Sequence, residues 1–444
     1  MHVNIKDKVI GSWCGMAIGD AMGLSAKGMK PETVKQLFGS VSSFKDVSPF
    51  IDKGVKHFKM KGLYGVQTQS SLVIADILLK NKKLNAKKIT ELLIELSVGG
   101  PEYYFGVYRH SDKSFSQLID SLKEKQSQAI EHNQADATFL TMGIPAGLLH
   151  RDQLEMGIFL NISIGLIMSR NLCEITGLAV TGYLVSRFLL LEPEMEKLSL
   201  HTEQILIDVE ECCHKIEARI QETSPVLWHQ TPELERGMLQ QTIKNLRERW
   251  NLNYDELLNW TCQNASNLHK TKITSPAQSY VLTLLPLCLI LVLRKNSTFD
   301  SSLTSGLNMG KEANKLGALT GVLAGAIYGW EGIPKLWRSG LVNIKEIRMR
   351  GDGLFSGRFP KAAKNLYEME LGLTTKEFDV GKKYFLKSPV KHFRPTPRPK
   401  LYWKGEDENE SIIPDKSDIF NWRKFEKDKS KAKKERRKHL KKMT

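Results

Sequence analysis

Residues 11–28 read GSWCGMAIGDAMGLSAKG and residues 309–329 read MGKEANKLGALTGVLAGAIYG. In the first stretch Gly11, Gly15, Gly19 and Gly23 recur at every fourth position, and in the second Gly317, Gly321, Gly325 and Gly329 do the same. A glycine inside a helix costs about 1 kcal/mol relative to alanine. Residues four apart share a helix face, so each stretch presents one bare stripe. The gain that offsets the cost is close approach of two backbones. Gly19 and Gly23, which flank Asp20, also suit a cap or a turn. The regularity of the repeat favours two helices packed tightly at the centre of a domain.

Outward from these stripes, helical spacing or long apolar runs cover 4–25, 69–80, 87–98, 113–130, 154–168, 173–191, 198–222, 231–250, 254–268, 277–294 and 314–329. Turn signals separate them, such as Gly99-Gly100-Pro101 and Ser275-Pro276. No succession of alternating strands appears. The expected architecture is an all-α orthogonal helical bundle of about ten helices, ending near Trp337. The expected division is a helical domain over 1–340, a loop-rich basic and aromatic extension over 341–422, and a Lys/Arg-rich tail over 423–444.

The net charge of +16 is unevenly spread. Residues 341–444 hold 28 Lys/Arg against 15 Asp/Glu, and residues 1–340 hold 37 against 34. The last 22 residues carry twelve basic and three acidic side chains. Such a run is a solvated tail, or an arm that attracts a polyanion such as nucleic acid. Basic residues interleave with aromatics at Lys383-Tyr384-Phe385, Tyr402-Trp403-Lys404 and Trp422-Arg423, which suits either docking onto the core or base stacking; docking is preferred for 384–422. The six cysteines show no CxxC spacing, so a reduced, cytoplasmic protein is expected. The strongest apolar run, 280–293, is fourteen residues long and contains a proline, which is short of a membrane span.

Four segments together resemble the ADP-ribosylglycohydrolase family. GSWCGMAIGDAMG resembles that family's opening G-x-x-x-G-x-A-x-G-D-A-x-G, and YGVQTQSSLVIADILL (64–79) resembles its Y-T-D-D-T-Q-x-x-L helix start. ADATFLTMGIPAGLL (135–149) resembles G-N-G-x-x-M-R-x-x-P-x-G, and 309–329 resembles the closing G-G-D-T-D-T with its glycine helix. The resemblance implies a dinuclear magnesium or manganese site between helices that holds ADP-ribose and activates water. Hard divalent cations need anionic oxygen ligands for this.

Carried over residue by residue, those ligands are largely missing. The T-D-D positions are Gly65, Val66 and Gln67, and the D-T-D-T positions are Glu312, Ala313, Asn314 and Lys315. The family's early glutamate falls on Lys27, and Asp136 opens the third motif. Only Glu312 keeps a negative charge among the expected ligands. No Asp-Asp pair exists anywhere in 60–80 or 305–320, so no shift of register restores the site. No metal cofactor is therefore expected. Gln67, Thr68 and Gln69 also read as a polar start for the helix 69–80, and Asp20 as a capping or hydrogen-bonding residue.

Lysines have arrived at 27, 311 and 315, where the family pattern carries other residues. An ammonium neutralises phosphate as a point charge. One expectation is thus a non-catalytic cleft that binds ADP-ribose or another phosphorylated ligand through Lys27, Gln67, Asp136, Glu312, Asn314 and Lys315. The plainer reading is an empty cleft with its lysines in solvent. A second class is an active hydrolase with a rearranged site of Asp20, Asp136 and Glu312. A third is a nucleic-acid-associated protein acting through 423–444.

Overall fold

The computed structural model describes residues 3–81, 84–124, 135–295 and 298–385. Among them are eighteen α-helices and no strand beyond isolated bridges. In chain order they are α1 (Ile5–Gly23), α2 (Pro31–Phe38), α3 (Val66–Asn81), α4 (Ala86–Leu96), α5 (Lys113–Lys123), α6 (Ile144–Leu149), α7 (Leu154–Met168), α8 (Leu172–Phe188) and α9 (Met195–Thr223). They continue as α10 (Pro225–Gln230), α11 (Met238–Glu248), α12 (Tyr254–His269), α13 (Val281–Ile290), α14 (Phe299–Leu307), α15 (Ala313–Tyr328), α16 (Lys335–Gly340), α17 (Ile344–Ser356) and α18 (Leu366–Phe385).

The two glycine stripes face each other along α1 and α15. A methyl group at Gly15 would fall on the carbonyl oxygen of Gly321, one at Gly19 on that of Gly317, and one at Gly23 on that of Ala313. The clashes are reciprocal from the α15 side. Gly19 and Gly23 therefore serve packing, not a turn. Ser12 Oγ adds a hydrogen bond to the Val322 carbonyl at 2.9 Å across the seam. The pair is buried from Lys8 to Gly23 on one side and from Ala313 to Tyr328 on the other. This buried pair positions everything else at the centre.

The expectation that 341–422 is loop-rich is corrected over most of its first half, because α17 and α18 are regular helices. Trp13 Nε1 of α1 donates to the Ile347 carbonyl of α17 at 3.0 Å. The buried Arg350 reaches Asp76 of α3 at 2.8 Å and Glu346 at 2.8 Å. On α18 the fully buried positions include Glu370, Thr374 and Glu377. An inward face made of polar residues escapes a search for apolar periodicity. Tyr384, near the end of α18, stacks on Phe58 with ring centroids 5.4 Å apart, so the aromatic extension docks at this point. The rest of that extension, 386–422, and the basic tail 423–444 lie outside the described residues.

Smaller differences follow from caps. The helix expected at 69–80 starts at Val66, so Gln67, Thr68 and Gln69 lie in its first turn. The helix expected at 231–250 starts at Met238 after a short 3-10 turn, and the one at 277–294 starts at Val281. All six cysteines are free thiols. No helix among the described residues is long and apolar enough to cross a membrane.

Candidate functional site

The start of α3 is held by α1. Asp20 Oδ2 accepts from the Gly65 N–H at 2.9 Å, the Thr68 N–H at 3.0 Å and the Thr68 hydroxyl at 2.9 Å. Asp20 thus caps a helix other than its own, where the free N–H groups of a first turn demand an acceptor. Burial pushes its carboxyl above the usual range, against the lowering effect of these hydrogen bonds. Its Oδ1 has no hydrogen-bond partner among the described residues. Gln67 is buried beside this cap, and its Oε1 accepts from the Thr141 hydroxyl at 3.3 Å. Gln69 turns the other way and donates to Val107 O and Glu370 Oε2.

The start of α15 carries the chemistry. Its loop is fixed by backbone pairing with the loop after α1: the Gly28 N–H donates to Lys311 O and the Lys311 N–H to Met29 O, each at 2.7 Å. Glu312 precedes α15 and Lys315 lies in its first turn. The Lys315 ammonium is buried at the meeting point of three loops. It donates to Asp112 Oδ2 at 2.7 Å, to Thr138 Oγ1 at 2.8 Å and to Ser279 Oγ. Asp136 Oδ1 stands 3.5 Å away and Glu312 Oε2 3.6 Å away. Three acceptors satisfy the three donors of an ammonium.

Each of these partners is itself held. Asp112 is the N-cap of α5, its other oxygen accepting from the Phe115 N–H at 2.9 Å. Asp136 accepts from the Thr138 N–H at 2.8 Å, Ser279 Oγ at 2.6 Å and Ser114 Oγ at 2.9 Å. Its own N–H donates to the buried Glu174 at 2.7 Å. Burial, the largest single influence, acts to raise both aspartates, but Lys315 together with Lys27 and the Phe115 N–H at Asp112, and together with the Ser279 and Thr138 hydrogen bonds at Asp136, holds them below the usual carboxylate range. For Lys315 burial acts downward, and Asp112, Asp136 and Glu312 together carry it above the ordinary lysine value. Asn314 is fully buried, and neither of its side-chain polar atoms has a hydrogen-bond partner among the described residues.

Two further lysines border the cluster. Lys27 Nζ donates to the His110 carbonyl at 2.8 Å, and Lys59 Nζ donates to the Leu24 carbonyl. Burial, with Lys27 close by, pushes Lys59 down to about 7, while Glu377 and Glu312 act in the opposite direction. Lys311, in contrast, sits in a left-handed turn with φ of 52° on the loop backbone.

The structure therefore brings together Asp136, Glu312 and Lys315, with Lys27 at their border. It places Asp20 and Gln67 at the α3 start. Sequence reading missed Asp112, Ser279 and Lys59. Asp112 had a signal, since it directly precedes a helix expected at 113 and suits an N-cap. Ser279 and Lys59 lie in loops without a local pattern.

These residues do not fit a pair of divalent ions. Gly65 and Val66 bring no side-chain oxygen, and Asp20 spends its Oδ2 on three protein donors. The remaining carboxylates face an ammonium whose acceptors lie at 2.7 and 2.8 Å. Magnesium demands six oxygens at roughly 2.0–2.1 Å. Among the described residues no group of three or more His, Cys, Asp or Glu is spaced for a metal ion.

The sequence profile of the ADP-ribosylglycohydrolases matches residues 1–370. The chain belongs to the ADP-ribosylglycohydrolase family. Among solved structures it is similar to an "ADP-ribosylglycohydrolase-related protein complex", with 17% identity and a TM-score of 0.53 over 80% of this chain and 98% of that one. At that identity the likeness concerns the fold. No curated protein sequence matches the chain. In this family member, the seam of α1 and α15 carries the opening and closing motifs side by side.

Proposed function

We propose that this ADP-ribosylglycohydrolase-family chain is a non-catalytic binder of a phosphorylated small molecule of the ADP-ribose class. Binding uses no divalent metal, and the ligand is not hydrolysed. The observation that carries this reading is the Lys315 ammonium among Asp112, Asp136 and Glu312. A carboxylate that neutralises a lysine is poorly suited to hold a metal or to activate water.

The phosphate contacts fall to different lysines from those of the aligned motifs alone. Lys315 has its three donors occupied. Lys27 and Lys59 each make one hydrogen bond to a backbone carbonyl among the described residues, which leaves ammonium donors for a pyrophosphate. Family membership supplies the ligand class, and the unpartnered Asn314 side chain supplies a polar contact of either sense.

Titration calorimetry with ADP-ribose, with and without EDTA, tests the reading. The expected result is binding that EDTA leaves unchanged and that Lys27→Ala and Lys59→Ala each weaken about tenfold, the loss of one charge-assisted contact. Because Lys59 loses its proton as pH rises through about 7, affinity falls between pH 6 and pH 8. A strict magnesium requirement for binding would overturn the proposal. So would magnesium-dependent release of ADP-ribose from ADP-ribosyl-arginine or ADP-ribosyl-serine.

A further inference from the structure

The chain carries three carboxylates at the start of α15 although the family's paired acids are gone. Asp112, Asp136 and Glu312 come from three separate segments, yet all point at one spot. That convergence needs a cation. The spot is filled by Nζ of Lys315, whose side chain is 1% exposed against 20% for each aspartate and 25% for Glu312. Lys315 stands on the closing motif, at a position aligned with the family's D-T-D-T. We infer that Lys315 is a tethered cation that takes the place of a metal ion: its ammonium holds the Asp112, Asp136 and Glu312 loops together, so that this junction is assembled without any free ion.

The geometry gives the inference its content. A cation linked to α15 cannot dissociate, so the loops after α4, before α6 and before α13 are pinned whatever the metal concentration. An ammonium brings one charge where a divalent ion brings two, so the cluster keeps surplus negative charge. Thr138 and Ser279 supply neutral oxygens to the ammonium, and both also hydrogen-bond Asp136. Removing the ammonium while sparing this oxygen shell leaves a cavity ringed by anionic and neutral oxygens, the donor type that hard cations prefer.

The test uses the full chain, Mn²⁺ alone and methylammonium alone, with no nucleotide ligand, so its failure is distinct from a failure to bind ADP-ribose. Wild type is expected to show no saturable Mn²⁺ binding below 1 mM by electron paramagnetic resonance, and no change of unfolding midpoint with Mn²⁺ or EDTA. Lys315→Ala is expected to gain one Mn²⁺ site at least tenfold tighter than any in wild type. Its unfolding midpoint should rise with Mn²⁺ or with methylammonium, and Asp112→Asn in the same background should abolish the gain. If Lys315→Ala does not fold in plain buffer, refolding with Mn²⁺ or methylammonium should recover it. Saturable Mn²⁺ binding by wild type that is lost on Asp136→Asn would overturn the inference. So would a Lys315→Ala chain that responds to neither cation, whether folded or refolding.

Discussion

Two buried cations, Arg109 and Lys315, are balanced in different ways. Arg109 faces the fully buried Glu370 at 2.7 Å, with Tyr64 O and Thr374 Oγ1 each at 2.9 Å on its other nitrogens. Glu370 in turn accepts from Tyr64 Oη and Gln69 Nε2 at 2.7 and 2.8 Å. That cluster is closed to solvent and fastens α18 to α3. Lys315 faces three carboxylates that are each partly exposed. A closed pair holds a helix in place. In the open cluster one ammonium faces three carboxylates that keep contact with solvent.

The sharpest way to break the comparison is to remove each cation in turn. Arg109→Met strands a fully buried carboxylate, and breaking a buried pair costs about 3–5 kcal/mol. Lys315→Met should cost less, since its partners reach solvent and can take up protons. Urea midpoints of both variants at pH 7 decide it, and a larger loss at Lys315 would reverse the assignment of closed and open sites.

An uncharged contact calibrates the scale. Gly19→Ala drives a methyl group onto the Gly317 carbonyl, and overpacking of this kind costs about 1–3 kcal/mol. Gly372, in α18, has open space where a side chain would stand, with no atom within 4 Å of a methyl group placed there. Gly372→Ala should therefore stabilise by about 0.5–1 kcal/mol through helix propensity. Equal destabilisation at both positions, measured by urea unfolding, would remove the seam as the organising contact.

The smallest effect is in acid. Asp112 and Asp136 titrate below their usual values in the folded chain. The unfolded state then binds more protons, so stability rises with pH in that window. Their contribution is fully present above the unfolded aspartate value near pH 4 and is lost as pH falls through the lowered folded values. Unfolding midpoints between pH 2.5 and 5 should show this slope in wild type, and Lys315→Met should flatten it. An unchanged slope would mean that other carboxylates set the acid limit.

Much of the fold was legible because its signals are local or repetitive. The i, i+4 glycines reported the α1–α15 seam, since only a bare stripe lets carbonyls and Cα atoms meet. Apolar runs reported α7, α8 and α13. The helices α17 and α18 were missed because polar and charged residues interrupt their inward faces: Glu346 and Arg350 beside Ile347 and Leu354 on one, Glu370, Thr374 and Glu377 beside Leu366 and Tyr367 on the other. Such a face resembles a solvated one until its partner is known. Asp136, Glu312 and Lys315 were named through their motifs, and Asp112 had only the signal of an N-cap before α5, whereas Ser279 and Lys59 come from loops with no local pattern.

By itself the amino-acid sequence determined an all-helical chain, its central glycine seam and the loss of the paired acids, because periodicity and residue type act over a few neighbouring positions. The tertiary structure alone decided that Lys315 serves the protein's own carboxylates and that Lys27 and Lys59 each donate to a backbone carbonyl. Charge pairing depends on ångström-scale distances between residues as far apart in the chain as Asp112 and Lys315, and no local pattern encodes those distances.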